Sequence, residues 1–421
     1  MSDVCVVGLG RIGLPMAVQC ASKGLRVVGC DIAPEIVRAV NAGECPYADE
    51  EGMAEKLRAA HAAGLLSATS DTAGAVREAE NVVVVVPVGL TAAKTADFRA
   101  LDAAAQSIAS GLRPGTLVVL ETTVPLGTTR KRLGAALEAS GLRAGRDFYL
   151  AYSPERVFVG RVLTDLRRYP KVVGGIDAAS RDRAVAFYKR ALDAEILPVA
   201  SCETAEMVKL AETTYRDVNI AFANELALAA ETHGVDVTEA IAAANTQPFS
   251  HIHQPGVGVG GHCIPVYPHF LLEGADVRIP KAAREINDGM ASRAVARLAA
   301  ALGGLQGKTA LILGLSYRPD IKAAAFSSAF ALARAVEGQG AKALVHDPHY
   351  TAEEMRSMGL EAASEFPPSH VDALIVQAWH AEYESLDLRA FVGCKAVLDG
   401  RNALSRESVE SLGMRYLGMG R

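Results

Sequence analysis

Cys263 stands at the end of a glycine-rich run, Pro255-Gly256-Val257-Gly258-Val259-Gly260-Gly261-His262-Cys263-Ile264-Pro265. Glycine has no Cβ, so this backbone can take positive φ and approach a ligand closely. The following proline suits the opening of a helix. Backbone N–H groups there would stabilise a thiolate and make it a nucleophile. Taken alone, the stretch reads equally well as a surface turn ahead of a small buried thiol. Other groups with chemistry to offer lie at strand ends and on one long helix. Thr123 follows the apolar run Thr116 to Leu120, and Glu155 and Arg156 follow Phe148 to Tyr152 in Ser153-Pro154-Glu155-Arg156. Lys209 sits on the helix, one turn from Thr213. A hydroxyl, a carboxylate and an ammonium can hold water, move protons and stabilise an oxyanion. The plainer readings are a helix cap, a surface ion pair, and a solvated lysine pairing with Glu206 and Glu212.

The N-terminal segment would supply an oxidant. Val4 to Val7 reads as a strand, Gly8-Leu9-Gly10-Arg11-Ile12-Gly13 as a glycine turn, Leu14 to Lys23 as a helix, and Arg26 to Cys30 as a second strand ending at Asp31. Strand, G-x-G-x-x-G, helix, strand and acid come at the spacing of a dinucleotide fold. Gly8, Gly10, Arg11, Ile12 and Gly13 bring the helix N-terminus to the pyrophosphate. Asp31 would accept hydrogen bonds from the adenosine ribose and repel a 2′-phosphate, favouring NAD over NADP. Pro87 and Thr123, at later strand ends, would line the nicotinamide crevice.

These groups need elements to position them. Asn81 to Pro87, Thr116 to Leu120, Phe148 to Tyr152, Val172 to Gly175 and Glu195 to Val199 read as strands of one mainly parallel sheet, with a helix at Ala178 to Leu192. Ser201 reads as an N-cap with Glu203 and Glu206 in the first turn. No Pro or Gly interrupts the chain from there to His233, which predicts one long amphipathic helix, with more helix through Asn245. Pro280 to Leu302 and Phe326 to Gln339 read as helices. Lys308 to Leu313, Ala343 to Val345, Ala373 to Gln377 and Ala396 to Asp399 read as strands of a second alternating β/α unit. That unit lacks G-x-G-x-x-G, so a nucleotide-bearing substrate suits it better than a second cofactor. The predicted fold class is α/β: two Rossmann-like doubly wound domains joined by a long central helix. The divisions are an NAD-binding domain over 1–200, a central helical region with the cysteine loop over 201–300, and a second Rossmann-like domain over 301–421.

Composition bounds the alternatives. The chain has 421 residues, half of them hydrophobic, and a formal net charge of −5, which leaves no basic footprint for nucleic acid. The seven cysteines form no Cys-x-x-Cys pair, which points to free thiols, a reducing compartment and no metal site. No signal peptide is visible, and the longest apolar run, Val82 to Val88, is too short to cross a bilayer. The expectation is a cytoplasmic enzyme with no membrane partner.

Over essentially its full length the chain resembles the UDP-glucose/GDP-mannose dehydrogenase family of nucleotide-sugar 6-dehydrogenases. The matching motifs, in family order, are Val6-Val7-Gly8-Leu9-Gly10-Arg11-Ile12-Gly13-Leu14-Pro15, Thr122-Thr123-Val124-Pro125-Leu126-Gly127-Thr128-Thr129, Ser153-Pro154-Glu155-Arg156-Val157, Ala205-Glu206-Met207-Val208-Lys209-Leu210, Gly260-Gly261-His262-Cys263-Ile264-Pro265-Val266 and Asp399-Gly400-Arg401-Asn402. Ser-Pro-Glu-Arg and Gly-Gly-His-Cys-Ile-Pro look like the branch acting on UDP-linked 2-acetamido sugars, N-acetylmannosamine or N-acetylglucosamine. The resemblance implies a homodimer that oxidises a C6 hydroxymethyl to a carboxylate with two NAD+ per turnover, for polysaccharide biosynthesis. It implies dimerisation for the 201–300 region and nucleotide-sugar binding for the 301–421 domain. It makes Cys263 the carrier of thiohemiacetal and thioester, with Lys209, Glu155 and Thr123 as the other catalytic residues. It also implies substrate contacts from Glu155, Arg156, Val157, Lys209, Thr213, His251, Gly260, Tyr317, Arg318 and Arg401. The alternatives are UDP-glucose 6-dehydrogenase, or a member that binds NAD and nucleotide sugar as a regulatory subunit without turnover.

The chain departs from the family pattern at several points. Thr213 stands where asparagine is usual, Tyr267 where aspartate is usual, and Ala325 where a substrate-contacting arginine is usual, so Lys322 or Arg318 would have to meet the substrate's charge. Val159 stands where the UDP-glucose branch has a second glutamate, and Pro87-Val88 replaces Thr-Pro.

Overall fold

The computed structural model describes residues 2–47, 50–158 and 160–421. The chain forms two compact units, Met1–Glu212 with His269–Glu273, and Thr213–Pro268 with Gly274–Arg421.

The first unit holds β1 (Ser2–Val7), α1 (Gly13–Ser22), β2 (Val27–Cys30), β3 (Leu66–Thr69), β4 (Ala79–Val84), β5 (Leu117–Leu120), β6 (Tyr149–Tyr152), α2 (Val162–Arg168), β7 (Lys171–Gly175), α3 (Ala178–Ala191) and β8 (Ile196–Pro198). The strands make one sheet in the order β8-β7-β6-β5-β4-β1-β2-β3. Val82, Val83, Val84 and Leu117 to Leu120 are fully buried, as continuous apolar strands covered on both faces must be. Strand order turns back between β1 and β4, so the crevice for a ligand lies beyond the carboxyl ends of these strands. Neighbouring strands are parallel except β6 and β7, which pair antiparallel with Ala151 opposite Gly175 and Tyr152 opposite Gly174. That reversal places the start of β7 at the carboxyl ends of β5 and β6. β4 stops at Val84, so Pro87 lies beyond the strand expected to contain it.

α4 (Cys202–His233) is a single helix of 32 residues that begins in the first unit and ends in the second. Ser201 caps it as expected, its Oγ accepting the Thr204 N–H at 3.1 Å.

The second unit continues with α5 (Val237–Ala244), then α6 (Tyr267–Leu272), whose last residues return to the first unit, and α7 (Arg278–Leu302). A five-stranded sheet follows, built from β9 (Thr309–Leu313), β10 (Lys342–His346), β11 (Ala373–Val376), β12 (Ala396–Asp399) and β13 (Arg415–Gly418), with α8 (Ser328–Glu337) between β9 and β10. Its order is β10-β9-β11-β12-β13, and all pairings are parallel. Ile312, Ile375 and Leu398 from the strands pack with Leu332 of α8 and Val295 and Leu298 of α7. Two expected starts move. α8 opens at Ser328 behind a Ser327 cap, leaving Phe326 outside it at φ 49°. α6 opens at Tyr267, two residues past Pro265. Among the described residues, no helix is long and apolar enough to cross a membrane.

Candidate active site

The glycine turn after β1 has the shape that a dinucleotide needs. Gly8 takes φ 94°, and a Cβ on it would stand 2.8 Å from the Val85 carbonyl oxygen. A Cβ on Gly13 would stand 1.8 Å from the Gly8 carbonyl oxygen, whereas one on Gly10 would meet nothing within 4 Å. Gly8 and Gly13 therefore close the strand–helix turn, and Gly10 leaves its outer side open. Asp31 fixes the turn from β2: its carboxylate accepts the Leu9 N–H at 2.7 Å and the Ala33 N–H at 2.9 Å. Each oxygen keeps a lone pair for a ribose hydroxyl. Tyr47 donates its hydroxyl to the Leu9 carbonyl at 2.9 Å, and Arg11 lies 5.5 Å from the Tyr47 ring centre.

Beyond β5, β6 and the start of β7 lies a buried polar cluster. Extending the β6–β7 register by three residues sets Lys171 opposite Glu155. The Lys171 ammonium is 3.0 Å from Glu155 Oε2 and 3.1 Å from Glu121 Oε2, with side-chain exposures of 5% for Lys171, 13% for Glu155 and 0% for Glu121. Glu155 Oε1 accepts the Arg156 N–H at 2.7 Å, and Lys209 donates to the Glu155 backbone carbonyl. Tyr188 of α3 donates its hydroxyl to Glu121. Burial pushes the Glu121 carboxyl up to about 7, with Lys171 opposing and Glu155 adding to the rise. Burial also works against the Glu155 carboxylate, but Lys171, the Arg156 N–H and Lys209 bring it below the usual glutamate value. Thr123, three residues past the end of β5, is 4% exposed.

Several ion pairs differ from expectation. Glu206 does not serve Lys209: its carboxylate accepts the Gly127 N–H at 2.6 Å, the Thr129 N–H at 2.8 Å and the Thr129 hydroxyl at 2.7 Å. It thus fixes the Thr-Val-Pro-Leu-Gly-Thr-Thr turn from α4. Glu212 pairs with Arg156 at 2.5 Å, and Arg156 also donates to the Pro170 carbonyl at 3.0 Å. Glu155 and Arg156 are therefore not a surface pair with one another, because each faces a different element.

In the second unit, the cysteine loop is anchored along its length. Asn224 of α4 accepts the Gly256 N–H at 2.9 Å, the Gly400 carbonyl accepts the Val257 N–H at 3.2 Å, and the Ala325 carbonyl accepts the Gly261 N–H at 2.8 Å. Arg401 donates to the Gln377 carbonyl at 2.6 Å and to the Gly258 carbonyl at 3.4 Å, and burial lowers its pKa to about 10 against the pull of Asp399. The glycines do not simply clear space for a ligand. A Cβ on Gly256 would stand 2.7 Å from Arg401, on Gly258 2.8 Å from Ser328, and on Gly260 2.6 Å from Tyr317 Cβ. Gly261, at φ 99°, lies against the Tyr317 ring. The room goes to the protein's own side chains, which press on the loop and fix it. Cys263 is part-exposed, and its carbonyl accepts the Tyr267 N–H at 2.9 Å, so it stands one turn ahead of α6. All seven cysteines are unbridged.

Three segments of the chain match the domains of the UDP-glucose/GDP-mannose dehydrogenase family: the NAD binding domain over residues 2–192, the central domain over 203–289 and the UDP binding domain over 311–406. The chain belongs to the UDP-glucose/GDP-mannose dehydrogenase family. It is 34% identical to a UDP-N-acetyl-D-mannosamine dehydrogenase of Pyrococcus horikoshii, over 99% of both chains. It is 33% identical to an NDP-N-acetyl-D-galactosaminuronic acid dehydrogenase of Ralstonia nicotianae, over 96% of this chain and 97% of that one. Among solved structures, that of a UDP-D-ManNAc dehydrogenase from Pyrococcus horikoshii superposes with a TM-score of 0.88 at 32% identity, covering 100% of this chain and 99% of that one. The cofactor of this dehydrogenase is NAD, and the turn at Gly8 to Gly13 with Asp31 fits it.

The positions where this dehydrogenase departs from its family's pattern have definite settings. Thr213 is fully buried on α4. Tyr267 opens α6, and Ala325 holds the cysteine loop through its backbone carbonyl. Lys322 and Arg318 are both exposed, and Lys322 pairs with Glu354 at 2.6 Å. His251 is exposed, and its carbonyl accepts from Asn219 at 2.6 Å. Val157 packs against the core of the first unit. Val159 lies outside the described residues. Sequence reading missed Lys171 and Tyr188. The sequence shows a lysine heading the apolar strand Val172-Val173-Gly174-Gly175, but not which end of the sheet that lysine reaches. Sequence reading also missed a meeting of Asp320, His349, His380 and Glu382, with donor atoms within 4.8 Å of one another. His380 uses both ring nitrogens there, accepting the Asp320 N–H at 2.9 Å and bonding Asp347 at 3.0 Å, so the group is no ready metal cage.

Proposed function

We propose that this family member oxidises the C6 hydroxymethyl of a UDP-linked 2-acetamido sugar to the carboxylate, by way of a covalent bond to Cys263. The observation that carries the reading is the anchored loop that presents a part-exposed cysteine at the head of α6, in a chain whose relatives are named for acetamido-sugar nucleotides. NAD+ supplies the hydride acceptor, once for alcohol to aldehyde and once for thiohemiacetal to thioester. The Cys263 thiolate adds to the aldehyde carbon to form the thiohemiacetal. Loss of a hydride from that carbon leaves the thioester, and water then displaces the thiol to release the carboxylate. Lys209 offers its ammonium to the oxyanion of each tetrahedral stage. Glu155, ionised and held by two donors, takes the proton of the attacking water, with the Thr123 hydroxyl as a second water ligand. Arg401 supports the loop from behind, and Arg318 supplies an exposed cation for the diphosphate.

The test is NAD+ reduction with UDP-N-acetylmannosamine, UDP-N-acetylglucosamine, UDP-glucose and GDP-mannose, with product mass measured alongside. Two NADH per acid formed from an acetamido sugar is the expected result, and Cys263→Ala should form no acid. Preference for UDP-glucose would reassign the substrate. A stoichiometry of one NADH, or acid formation by the alanine variant, would overturn the covalent route. Binding of NAD and sugar without turnover would make the chain a regulatory subunit.

A further inference from the structure

The structure assigns Lys171, Glu121 and Tyr188 to the service of Glu155: Lys171 aims the Glu155 carboxylate and keeps it ionised, and Glu121, held by Tyr188, sets the pH range over which it does so. This rests on the reading of Glu155 as the proton-handling carboxylate.

The geometry leaves little freedom. β7 runs antiparallel to β6, so its first residue reaches the sheet edge where strand-end groups meet a ligand. A parallel β7 would have put Lys171 at the opposite edge. Ser153 donates its hydroxyl to the Val172 carbonyl at 2.7 Å, locking the two strands just beyond their paired residues. The Lys171 ammonium then bridges one oxygen of each glutamate. Both oxygens of Glu155 are fixed, Oε1 by the Arg156 N–H and Oε2 by Lys171. Each keeps lone-pair capacity for a water or a substrate hydroxyl. A cavity of about 10 Å³ borders Glu155 and Lys171, on the scale of one water molecule.

The charge balance argues against a merely structural pair. Two carboxyls share one buried ammonium, so the trio is one negative charge in excess when both are ionised. A fold needing only stability has cheaper fillings for that space. The excess is relieved when one carboxyl takes a proton, and the surroundings choose which. Glu121 is fully enclosed, so burial raises it to about 7. Glu155 is nearer the opening and has Lys209 and the Arg156 N–H beside it. Glu121 therefore protonates first as pH falls, and its neutralisation leaves the whole charge of Lys171 to Glu155. The other titratable groups that face the trio are Cys20 of α1, Tyr188 of α3, Lys209 of α4, and Asp165 of α2 with Tyr169 just beyond it. Arg156 is neutralised by Glu212.

The test is the pH profile of kcat from about pH 3 to 9, with NAD+ and whichever nucleotide sugar the wild type turns over. Glu155→Gln identifies the acidic limb that belongs to Glu155. Lys171→Met removes the stabilising cation, so the limb should move to higher pH by about 1 unit or more. Lys171→Arg keeps the charge and should hold the limb near its wild-type position. Glu121 is already neutral where Glu155 titrates, so Glu121→Gln should leave that limb in place. It should instead remove a second inflection near about pH 7, where neutralising Glu121 changes the hold of Lys171 on Glu155, while KM for NAD+ holds. An upward shift in the methionine variant with loss of only the upper inflection in the glutamine variant is not produced by loosened packing. If Lys171→Met fails to fold, loss of the upper inflection in Glu121→Gln decides. If the limb disappears in Glu155→Gln but Glu121→Gln leaves the whole profile unchanged, the trio is structural and the proposal is wrong. If Glu155→Gln keeps the limb, the role of Glu155 itself falls instead.

Discussion

Gly13 shows how little latitude single residues have at the cofactor turn. Its missing Cβ would lie 1.8 Å from the Gly8 carbonyl oxygen, a position that no small adjustment of α1 accommodates. Gly13→Ala should push the helix N-terminus away from the pyrophosphate and weaken NAD+ binding at least about tenfold, or roughly 1.4 kcal/mol. Fluorescence titration of bound NADH checks this. Gly10→Ala provides a contrast, because that Cβ would meet no protein atom. The loss of affinity there would come from the ligand side alone, with thermal stability close to wild type. The motif was legible at this scale because G-x-G-x-x-G is local: strand, turn and helix are consecutive, and the acid that closes the turn ends the next strand. Lys171 was not legible, because Lys-Val-Val-Gly-Gly reads the same whether its strand runs parallel or antiparallel to β6. Only the direction of β7 turns that lysine into a partner of Glu155.

At the scale of elements, the cysteine loop depends on helices and strands far from it in sequence. Asn224 of α4 accepts the Gly256 N–H and donates to Asn287 of α7 at 2.9 Å. Asn287 donates to Asp217 at 2.8 Å, and Asp217 pairs with Arg284 at 2.5 Å. This buried chain ties two helices to the start of the loop. Asn224→Ala should cost about 1–3 kcal/mol by leaving Gly256 N–H and Asn287 without their partner. It should also lower the rate of Cys263 alkylation or turnover more than it raises KM for NAD+, which thermal melting and steady-state kinetics would separate. The helices and strands themselves were largely readable, since the long Pro- and Gly-free stretch and the apolar runs are strong local signals. What the glycines were for was not readable. A glycine reports only that a Cβ is unwelcome, and the residues that exclude it here, Tyr317, Ser328 and Arg401, come from 57 to 145 residues further along the chain. The edge strands β3 and β13 were also missed, because Leu66-Ser67-Ala68-Thr69 and Arg415-Tyr416-Leu417-Gly418 lack the apolar continuity of the central strands.

At the scale of the whole molecule, α4 raises the question of assembly. Its second-unit portion exposes Tyr215 and Phe222, 54% and 52% exposed and two turns apart. Phe222 also borders an apolar groove of about 470 Å³ with Leu226, Val235, Ile241 and Ile252. A monomer gains nothing by leaving large apolar groups in water, and a contiguous apolar patch of this kind marks an interface. We propose a second copy of the chain as its occupant. A long helix with apolar residues repeating every two turns can pack on its own symmetry mate, so that each copy fills the other's groove in a closed twofold dimer. No chemistry at the groove calls for a small ligand, since its walls are almost wholly aliphatic and aromatic. Sedimentation equilibrium should therefore give twice the 44.2 kDa chain mass. Phe222→Glu, which sets like charges against each other across a twofold axis, should return the monomer without disturbing the Gly8–Gly13 turn or NAD+ binding. A wild-type chain that sediments as a monomer at micromolar concentration would remove the dimer. A Phe222→Glu protein that stays dimeric would move the interface to another face of the chain.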